Sequence, residues 1–132
     1  MKHRNTHVEK RKYPRIRQQM TFEIREDDSV VIAEMVNLSG IGAYCRVNKP
    51  LALMTNLRIV LPLIYKDRIN DVEYVECDGT IVRTERVLGD EDSYHVAIFF
   101  NDISPSEQEK ITDYIEARQQ SEASVPDTLS AL

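Results

Sequence analysis

Apolar and polar residues alternate along much of this chain, in segments short enough to be β-strands. In the first segment, residues 20–25, Met20, Phe22 and Ile24 alternate with polar side chains. A period of two predicts a strand with one buried face. Further strands are predicted at residues 30–36, 43–47, 57–63, 72–85 and 94–100, with a bulge or barrel corner at Gly79. Six short strands with no helix between them favour an all-β antiparallel barrel or sandwich.

One helix is predicted after the last strand. Ser104 is typical of an N-cap, Pro105 occupies the first helical position and Glu107 follows three residues after the cap, which together form a capping box. The helix would carry a one-sided apolar stripe made of Ile111, Tyr114 and Ile115. Such a stripe is suited to packing against one end of a barrel.

Length and composition indicate one ordinary domain. The chain has 132 residues, of which 42% are hydrophobic and 30% charged, and this suits a single globular core. The longest apolar run, residues 59–65, is interrupted by Pro62 and is too short to span a bilayer. The basic opening residues lead to no apolar segment typical of a signal peptide, so a cytoplasmic location is expected. Cys45 and Cys77 are interpreted as small buried or half-buried thiols.

Charge divides the chain into an arm and a body. Residues 1–17 contain seven Lys and Arg against one acid, a net charge of +6, so the remainder carries −11 of the total −5. This asymmetry predicts an anionic partner for the arm, although the arm could also rest on the acidic body of its own domain. Tyr13 and Pro14 are interleaved with five cations, which favours a semi-stiff extended segment. The predicted organisation is a flexible basic arm at residues 1–17, a barrel with its helix at 18–120 and a disordered tail at 121–132, where periodicity is absent.

A polar segment, residues 37–42, ends the second predicted strand. It reads Asn-Leu-Ser-Gly-Ile-Gly and holds two of the chain's four glycines. Glycine tolerates positive φ and lets another molecule approach the backbone, while Asn37 and Ser39 can both donate and accept hydrogen bonds. An ordinary hairpin turn has the same composition. The segment is therefore either a ligand site or only a turn.

No arrangement of residues predicts catalysis or metal binding. His3 and His7 lie in the arm, and His95 falls in a predicted strand with no cysteine or serine placed to act with it. The two acidic clusters, residues 27–28 and 90–92, are turns, where acids are common. No Cys or His pair has metal-ligand spacing, and no phosphate-binding P-loop occurs. The protein is therefore expected to be no enzyme and to hold no metal or cofactor.

Two short motifs, in this order, resemble the signature motifs of the PilZ domain family. Arg11 and Arg15 form an R-x-x-x-R just before the first predicted barrel strand, and residues 37–42 form a D/N-x-S-x-x-G at the end of the second. Residues 79–83 and 94–100 resemble later strands of the family, so the resemblance covers about residues 10–118. It implies a six-stranded antiparallel β-barrel with one C-terminal helix, in a bacterial protein that binds the second messenger cyclic di-GMP.

The resemblance also implies roles for residues of the arm. Arg11 and Arg15 would wrap the guanines and phosphates of the ligand. Guanidinium groups suit this role because they pair with phosphates and lie flat on rings. Lys10, directly before the motif, would influence whether one ligand or a stacked pair binds.

In the second motif, Asn37 and Ser39 would hydrogen-bond guanine edges and phosphate oxygens, and Gly42 would keep the barrel surface clear. The family more often has Asp where this chain has Asn37. A carboxylate accepts from two N–H groups, whereas an amide offers one acceptor and one donor, so we expect weaker binding than in a relative with Asp.

Binding is expected to change the conformation of the arm and to be read by a downstream protein that the sequence does not identify. One alternative is a PilZ-fold protein–protein adaptor that binds no nucleotide. A second is a small barrel that binds single-stranded nucleic acid, as OB-folds do. The few cations of the arm, the acidic body and the absence of a set of exposed aromatic residues on the predicted strands disfavour nucleic acid.

Overall fold

Seven strands and one helix form the described part of the chain, in a computed structural model that describes residues 15–17, 20–65 and 72–130. In chain order they are β1 (Arg15–Arg17), β2 (Thr21–Glu26), β3 (Ser29–Ser39), β4 (Gly42–Val47), β5 (Asn56–Ile64), β6 (Val72–Arg86), β7 (Tyr94–Asp102) and α1 (Pro105–Ser130). Side chains are described for residues 20–65 and 72–120.

Six of the strands close into an antiparallel barrel. Their order is β3-β2-β5-β6-β7-β4, and β4 pairs back with β3. The predicted six-stranded barrel with a C-terminal helix is therefore confirmed, and the open sandwich is excluded. The additional strand, β1, pairs with residues 37–39 of β3, whereas β2 pairs with residues 29–34 of β3. Since β4 occupies the other edge of β3, β1 and β2 follow each other along one edge.

The core lies inside the barrel, where the inward positions of all six strands are apolar. Ile24, Leu61, Val75 and Ile98 are examples, each 2% exposed or less. Full burial of such a side chain contributes about 1.5–3 kcal/mol to folding. The alternation that predicted the strands therefore also identifies the core.

Register shifts interrupt the pairing of the barrel strands at three places, one of them between Ile81 and Arg83 of β6. The register of β3 with β4 shifts between Met35 and Asn37. The register of β6 with β7 shifts between Asp78 and Thr80, which confirms the bulge predicted at Gly79. A Cβ atom at Gly79 would lie 2.6 Å from Cγ2 of Ile98, so no larger residue fits there without a shift of its neighbours.

Helix α1 packs its apolar stripe against the barrel, next to β6, β1 and β3. Ile111, Tyr114 and Ile115 are at most 1% exposed, as the stripe predicts. The ring of Tyr114 meets that of Tyr65 edge-on, with 5.2 Å between centroids. The backbone of α1 continues to Ser130, into the segment predicted as a disordered tail.

The start of α1 covers an edge of the barrel. Ser104 caps the helix by accepting a hydrogen bond from the backbone N–H of Glu107 at 3.2 Å. The carboxylate of Glu107, however, accepts from the backbone N–H of Glu76 at 3.0 Å, so the reciprocal half of the predicted capping box is replaced by a contact to β6. The amine of Lys110 donates to the carbonyl of Tyr74 at 3.4 Å. Strand β7 pairs with β6 only from Asp78 onward. Side chains of α1 therefore hydrogen-bond backbone groups on the part of the β6 edge that β7 leaves unpaired.

The amine of Lys110 also lies 2.7 Å from the carboxylate of Glu107. Its hydrogen bond to this carboxylate, together with that from the backbone N–H of Glu76, holds the pKa of Glu107 below its ordinary value. This carboxylate is therefore ionised in the contact.

No helix in the part of the chain that the structure describes is long and apolar enough to cross a bilayer.

Candidate functional site

The last residue of the first motif, Arg15, meets the second motif at the end of β3. The backbone of Arg15 is the register partner of Ser39, and that of Arg17 is the partner of Asn37. Opposed Cα atoms in an antiparallel pair are about 4.5–5.5 Å apart. The backbone of the second arginine of the R-x-x-x-R motif therefore lies directly beside the polar segment. Lys10 and Arg11, also predicted to bind ligand, lie outside the described residues.

An open groove of about 450 Å³ lies beside this meeting point, within the usual range of small-molecule sites. It is bordered by the end of β3, the β3–β4 turn, β4, β6 and β7. Its lining includes Asn37, Ser39, Gly42, Tyr44, Arg83 and Phe99. The structure thus places all three described residues predicted from the second motif on one surface.

Ser39 holds the β3–β4 turn through its hydroxyl. The hydroxyl donates to the carbonyl of Gly42 at 3.4 Å and accepts from the backbone N–H of Ile41 at 3.3 Å. The residue is only 7% exposed. Both hydrogen bonds are long, so they stabilise the turn weakly and leave the oxygen one further acceptor site.

Asn37 has its side-chain amide available. It lies directly after the irregularity in β3 and is half-buried. Among the residues whose side chains the structure describes, none hydrogen-bonds this amide. A polar group that is partly withdrawn from water and has no protein partner is suited to binding a ligand.

Gly42 lies where a side chain would meet the backbone of the neighbouring strand β7. Among the described glycines only Gly89 has a positive φ, so no left-handed conformation demands glycine at position 42. A Cβ atom there would instead collide with the backbone carbonyl of Ile98 on β7. Gly42 therefore permits close pairing of β4 with β7 and leaves the floor of the groove free of a side chain.

The groove has walls that the sequence did not single out. Phe99 is 46% exposed and Val82 51%, so each presents apolar surface to a ligand. The ring of Tyr44 lies 5.2 Å from that of His95, at a 45° tilt. The half-buried imidazole of His95 therefore packs beside the groove and shares no catalytic arrangement with a described nucleophile. The outward positions of strands β4, β6 and β7 were the only signal that could have located these walls.

Arg83 is the described cation of the groove. Its guanidinium donates to Glu85 at 2.9 Å, and this hydrogen bond raises the pKa of Arg83 further above its ordinary value. The side chain is 63% exposed, so an anionic ligand could compete for it. No group of three or more acidic, His or Cys side chains able to hold a metal occurs among the described residues.

The described part of the chain is a closed six-stranded barrel with a polar, partly cationic groove beside the β3–β4 turn. The family model of the PilZ domain matches residues 9–117. The chain belongs to the PilZ domain family.

Solved structures with this fold have low sequence identity. The inhibitor of motility MotI/DgrA of Bacillus subtilis matches with 17% identity and a TM-score of 0.70, over 84% of this chain and 51% of that one. YcgR of Escherichia coli in complex with cyclic di-GMP matches with 13% identity and a TM-score of 0.66, over 90% of this chain and 50% of that one.

The PilZ domain of YcgR with cyclic di-GMP matches with 15% identity and a TM-score of 0.60, over 86% of this chain and 97% of that one. The present chain thus corresponds to about half of the first two proteins and to nearly all of this isolated domain. A comparison with curated proteins found no match.

Proposed function

We propose that this protein is a cytoplasmic cyclic di-GMP receptor that passes ligand occupancy to a protein partner, in bacterial control of motility, adhesion or biofilm formation. The observation that carries the proposal is the pairing of β1 with the end of β3. This pairing brings Arg15, the second arginine of the R-x-x-x-R motif, to the N-x-S-x-x-G motif beside a groove of suitable size.

The chemistry of the ligand matches the residues at this meeting point. Cyclic di-GMP carries two phosphates and two flat guanines. Arg11 and Arg15 would supply charge-assisted hydrogen bonds to phosphate and stacking on guanine, and Lys10 an additional cation. Asn37 and Ser39 would hydrogen-bond the polar edges of the ligand.

The walls of the groove complement the bases. Phe99 and Val82 offer apolar contact to a guanine ring, and Arg83 offers a cation that can exchange Glu85 for a phosphate or a guanine oxygen. The mixture of apolar wall, cations and an amide without a partner among the described side chains fits a dianionic dinucleotide better than a neutral or purely apolar ligand.

Two structural relatives support the ligand, because their structures contain cyclic di-GMP. The name of a third, an inhibitor of motility, supports an output in motility. Since this chain spans about half of the first two proteins, their complete activities come to it only as part of the proposal.

The signal would arise from the arm. A protein with no catalytic arrangement transmits ligand occupancy only through a difference in shape or surface between its two states. Residues 15–17 already pair with β3, so we infer that the change on binding lies mainly in residues 1–14. The combined surface of arm, ligand and groove rim would then be read by the partner.

Isothermal titration calorimetry tests the ligand assignment. The full chain is titrated with cyclic di-GMP, cyclic di-AMP and a short single-stranded oligonucleotide, each at three salt concentrations. Saturable binding of cyclic di-GMP, with much weaker binding of the other two, is expected because an arginine binds O6 and N7 of guanine together, and adenine has no O6 acceptor.

Absence of cyclic di-GMP binding would favour the protein–protein adaptor. Oligonucleotide binding that weakens steeply with salt would favour the nucleic-acid barrel.

A further inference from the structure

Helix α1 contacts the candidate ligand site through one side chain. The amide nitrogen Nε2 of Gln108 donates a hydrogen bond to the backbone carbonyl of Gly40 at 2.9 Å. Gly40 is the fourth residue of the N-x-S-x-x-G segment and is buried. A residue on the last element of the fold therefore fixes the turn that carries Ser39 and follows Asn37.

The turn has few other strong restraints among the described residues. The hydroxyl of Ser39 makes two long hydrogen bonds within it, at 3.3 and 3.4 Å. The carbonyl of Ile41 accepts from the backbone N–H of Phe100 at 2.8 Å. Without Gln108, the buried carbonyl of Gly40 would lose its described side-chain partner, and an unsatisfied buried acceptor disfavours the native turn.

Gln108 is itself held in place by its helix. Its backbone N–H donates to the carbonyl of Ser104 at 2.9 Å. The preceding residue, Glu107, is bonded to the backbone of β6 at 3.0 Å, and Ile111, one turn later, is fully buried. The amide of Gln108 is thus presented to Gly40 by a helix turn that is anchored on both sides.

We propose that Gln108 is a positioning residue for the cyclic di-GMP site, an inference that rests on the function proposed above. Its hydrogen bond to Gly40 fixes the β3–β4 turn, and the turn in turn sets the geometry in which Asn37 and Ser39 meet the ligand. Gln108 donates a hydrogen bond to Gly40 and would not itself contact the ligand.

The test compares variants that differ in donor capacity. Gln108→Glu keeps the shape of the side chain but turns an acceptor toward the carbonyl of Gly40. We expect it to weaken cyclic di-GMP binding about tenfold in calorimetry, as loss of a buried hydrogen bond does. Gln108→Lys, which retains a donor, is expected to bind within about threefold of the wild type. Gln120→Glu introduces the same charge at an exposed position of α1 and should bind like the wild type.

A second measurement needs no ligand. In the unliganded protein, amide hydrogen exchange at Ile41 and Phe100 should be faster in Gln108→Glu than in the wild type, while exchange in β2 and β5, away from the turn, changes less. Gln108→Ala gives the same comparison should the Glu variant not fold. Unchanged exchange in the turn, or unchanged affinity in both donor-free variants, would overturn the role of Gln108. If the wild type bound no cyclic di-GMP, the proposed function would fail, whereas the exchange comparison would still decide whether Gln108 fixes the turn.

Discussion

The backbone of Arg15 pairs in register with that of Ser39. These residues belong to different motifs, and the strand β2 and most of β3 separate them in sequence. Their pairing places β1 along the same edge of β3 as β2, which pairs with the earlier residues of β3. A ligand in the adjacent groove would therefore contact both motifs without any rearrangement of the barrel.

The first prediction concerns Arg15. Arg15→Ala is expected to weaken cyclic di-GMP binding about 10- to 100-fold, because charge-assisted hydrogen bonds contribute about 1.5–3 kcal/mol each. The melting temperature should change little, since β1 is additional to the six strands of the closed barrel and its backbone can still pair with β3. Calorimetry and thermal unfolding measure the two effects. Lys49→Ala removes an exposed cation from another part of the barrel and serves as the control. Wild-type affinity in Arg15→Ala would contradict the site assignment.

The second prediction concerns Asn37, where the family more often has Asp. Asn37→Asp should tighten binding about tenfold, because a carboxylate accepts two hydrogen bonds from guanine and charge-assisted bonds are stronger. Asn37→Ala should weaken binding by a similar factor. Dissociation constants for both variants, measured at one salt concentration, check the pair. Equal affinities in all three proteins would mean that this amide does not contact the ligand.

The third prediction concerns Gly42. Gly42→Val should lower the free energy of unfolding by about 1–3 kcal/mol, because the new side chain collides with the carbonyl of Ile98. It should also weaken ligand binding, since the floor of the groove is filled. Gly89→Asn is the matched control, because Gly89 has open space around it and Asn tolerates its φ of 84°. Denaturant unfolding that leaves Gly42→Val as stable as the control would refute the close-packing explanation.

The strand pattern predicted the barrel because inward burial imposes a period of two. Phe22, Ile59 and Ile98 are in the core, and Met20 is half-buried against it. The apolar stripe of the helix was predictable because burial of one helix face imposes a period of about 3.6 residues. Local chemistry predicted the cap at Ser104, but the partner of Glu107 is the distant backbone of Glu76, which no local motif could reveal.

The site was predictable only as two separate motifs. Asn37, Ser39 and Gly42 lie along one short segment, so their proximity follows from the sequence. The walls formed by Arg83 and Phe99 depend on strand order and register around the closed barrel. The contact between Gln108 and Gly40 likewise depends on where the helix returns to the barrel. The collision that excludes a side chain at Gly42 likewise comes from β7, a neighbour in space.

The fourth prediction concerns the two cysteines. Burial raises the pKa of Cys45 to about 12. Burial, with the nearby carboxylate of Asp78, raises the pKa of Cys77 to about 12 as well. Both thiols are therefore protonated at pH 8, and the thiolate is the reactive form. A chromogenic disulfide reagent should react slowly with the native protein at pH 8 and with both thiols in guanidinium chloride. Single Cys→Ser variants would assign any fast native reaction, which would contradict the burial.

The last prediction concerns the motion of the arm. Because residues 15–17 pair with β3 in the structure, their backbone amides should have barrel-like NMR relaxation with and without cyclic di-GMP. Residues 10–14 should change from large-amplitude motion to barrel-like rigidity on binding, since Arg11 would contact the ligand. Ordering costs about 1–2 kcal/mol per fixed residue, so the effect should end within a few residues before Lys10. In Arg11→Ala the residues 10–14 should remain mobile at saturating ligand. If these amides are already rigid without ligand, or stay mobile when it is bound, the signal must come from another element, and α1 is then the next candidate because Gln108 connects it to the ligand turn.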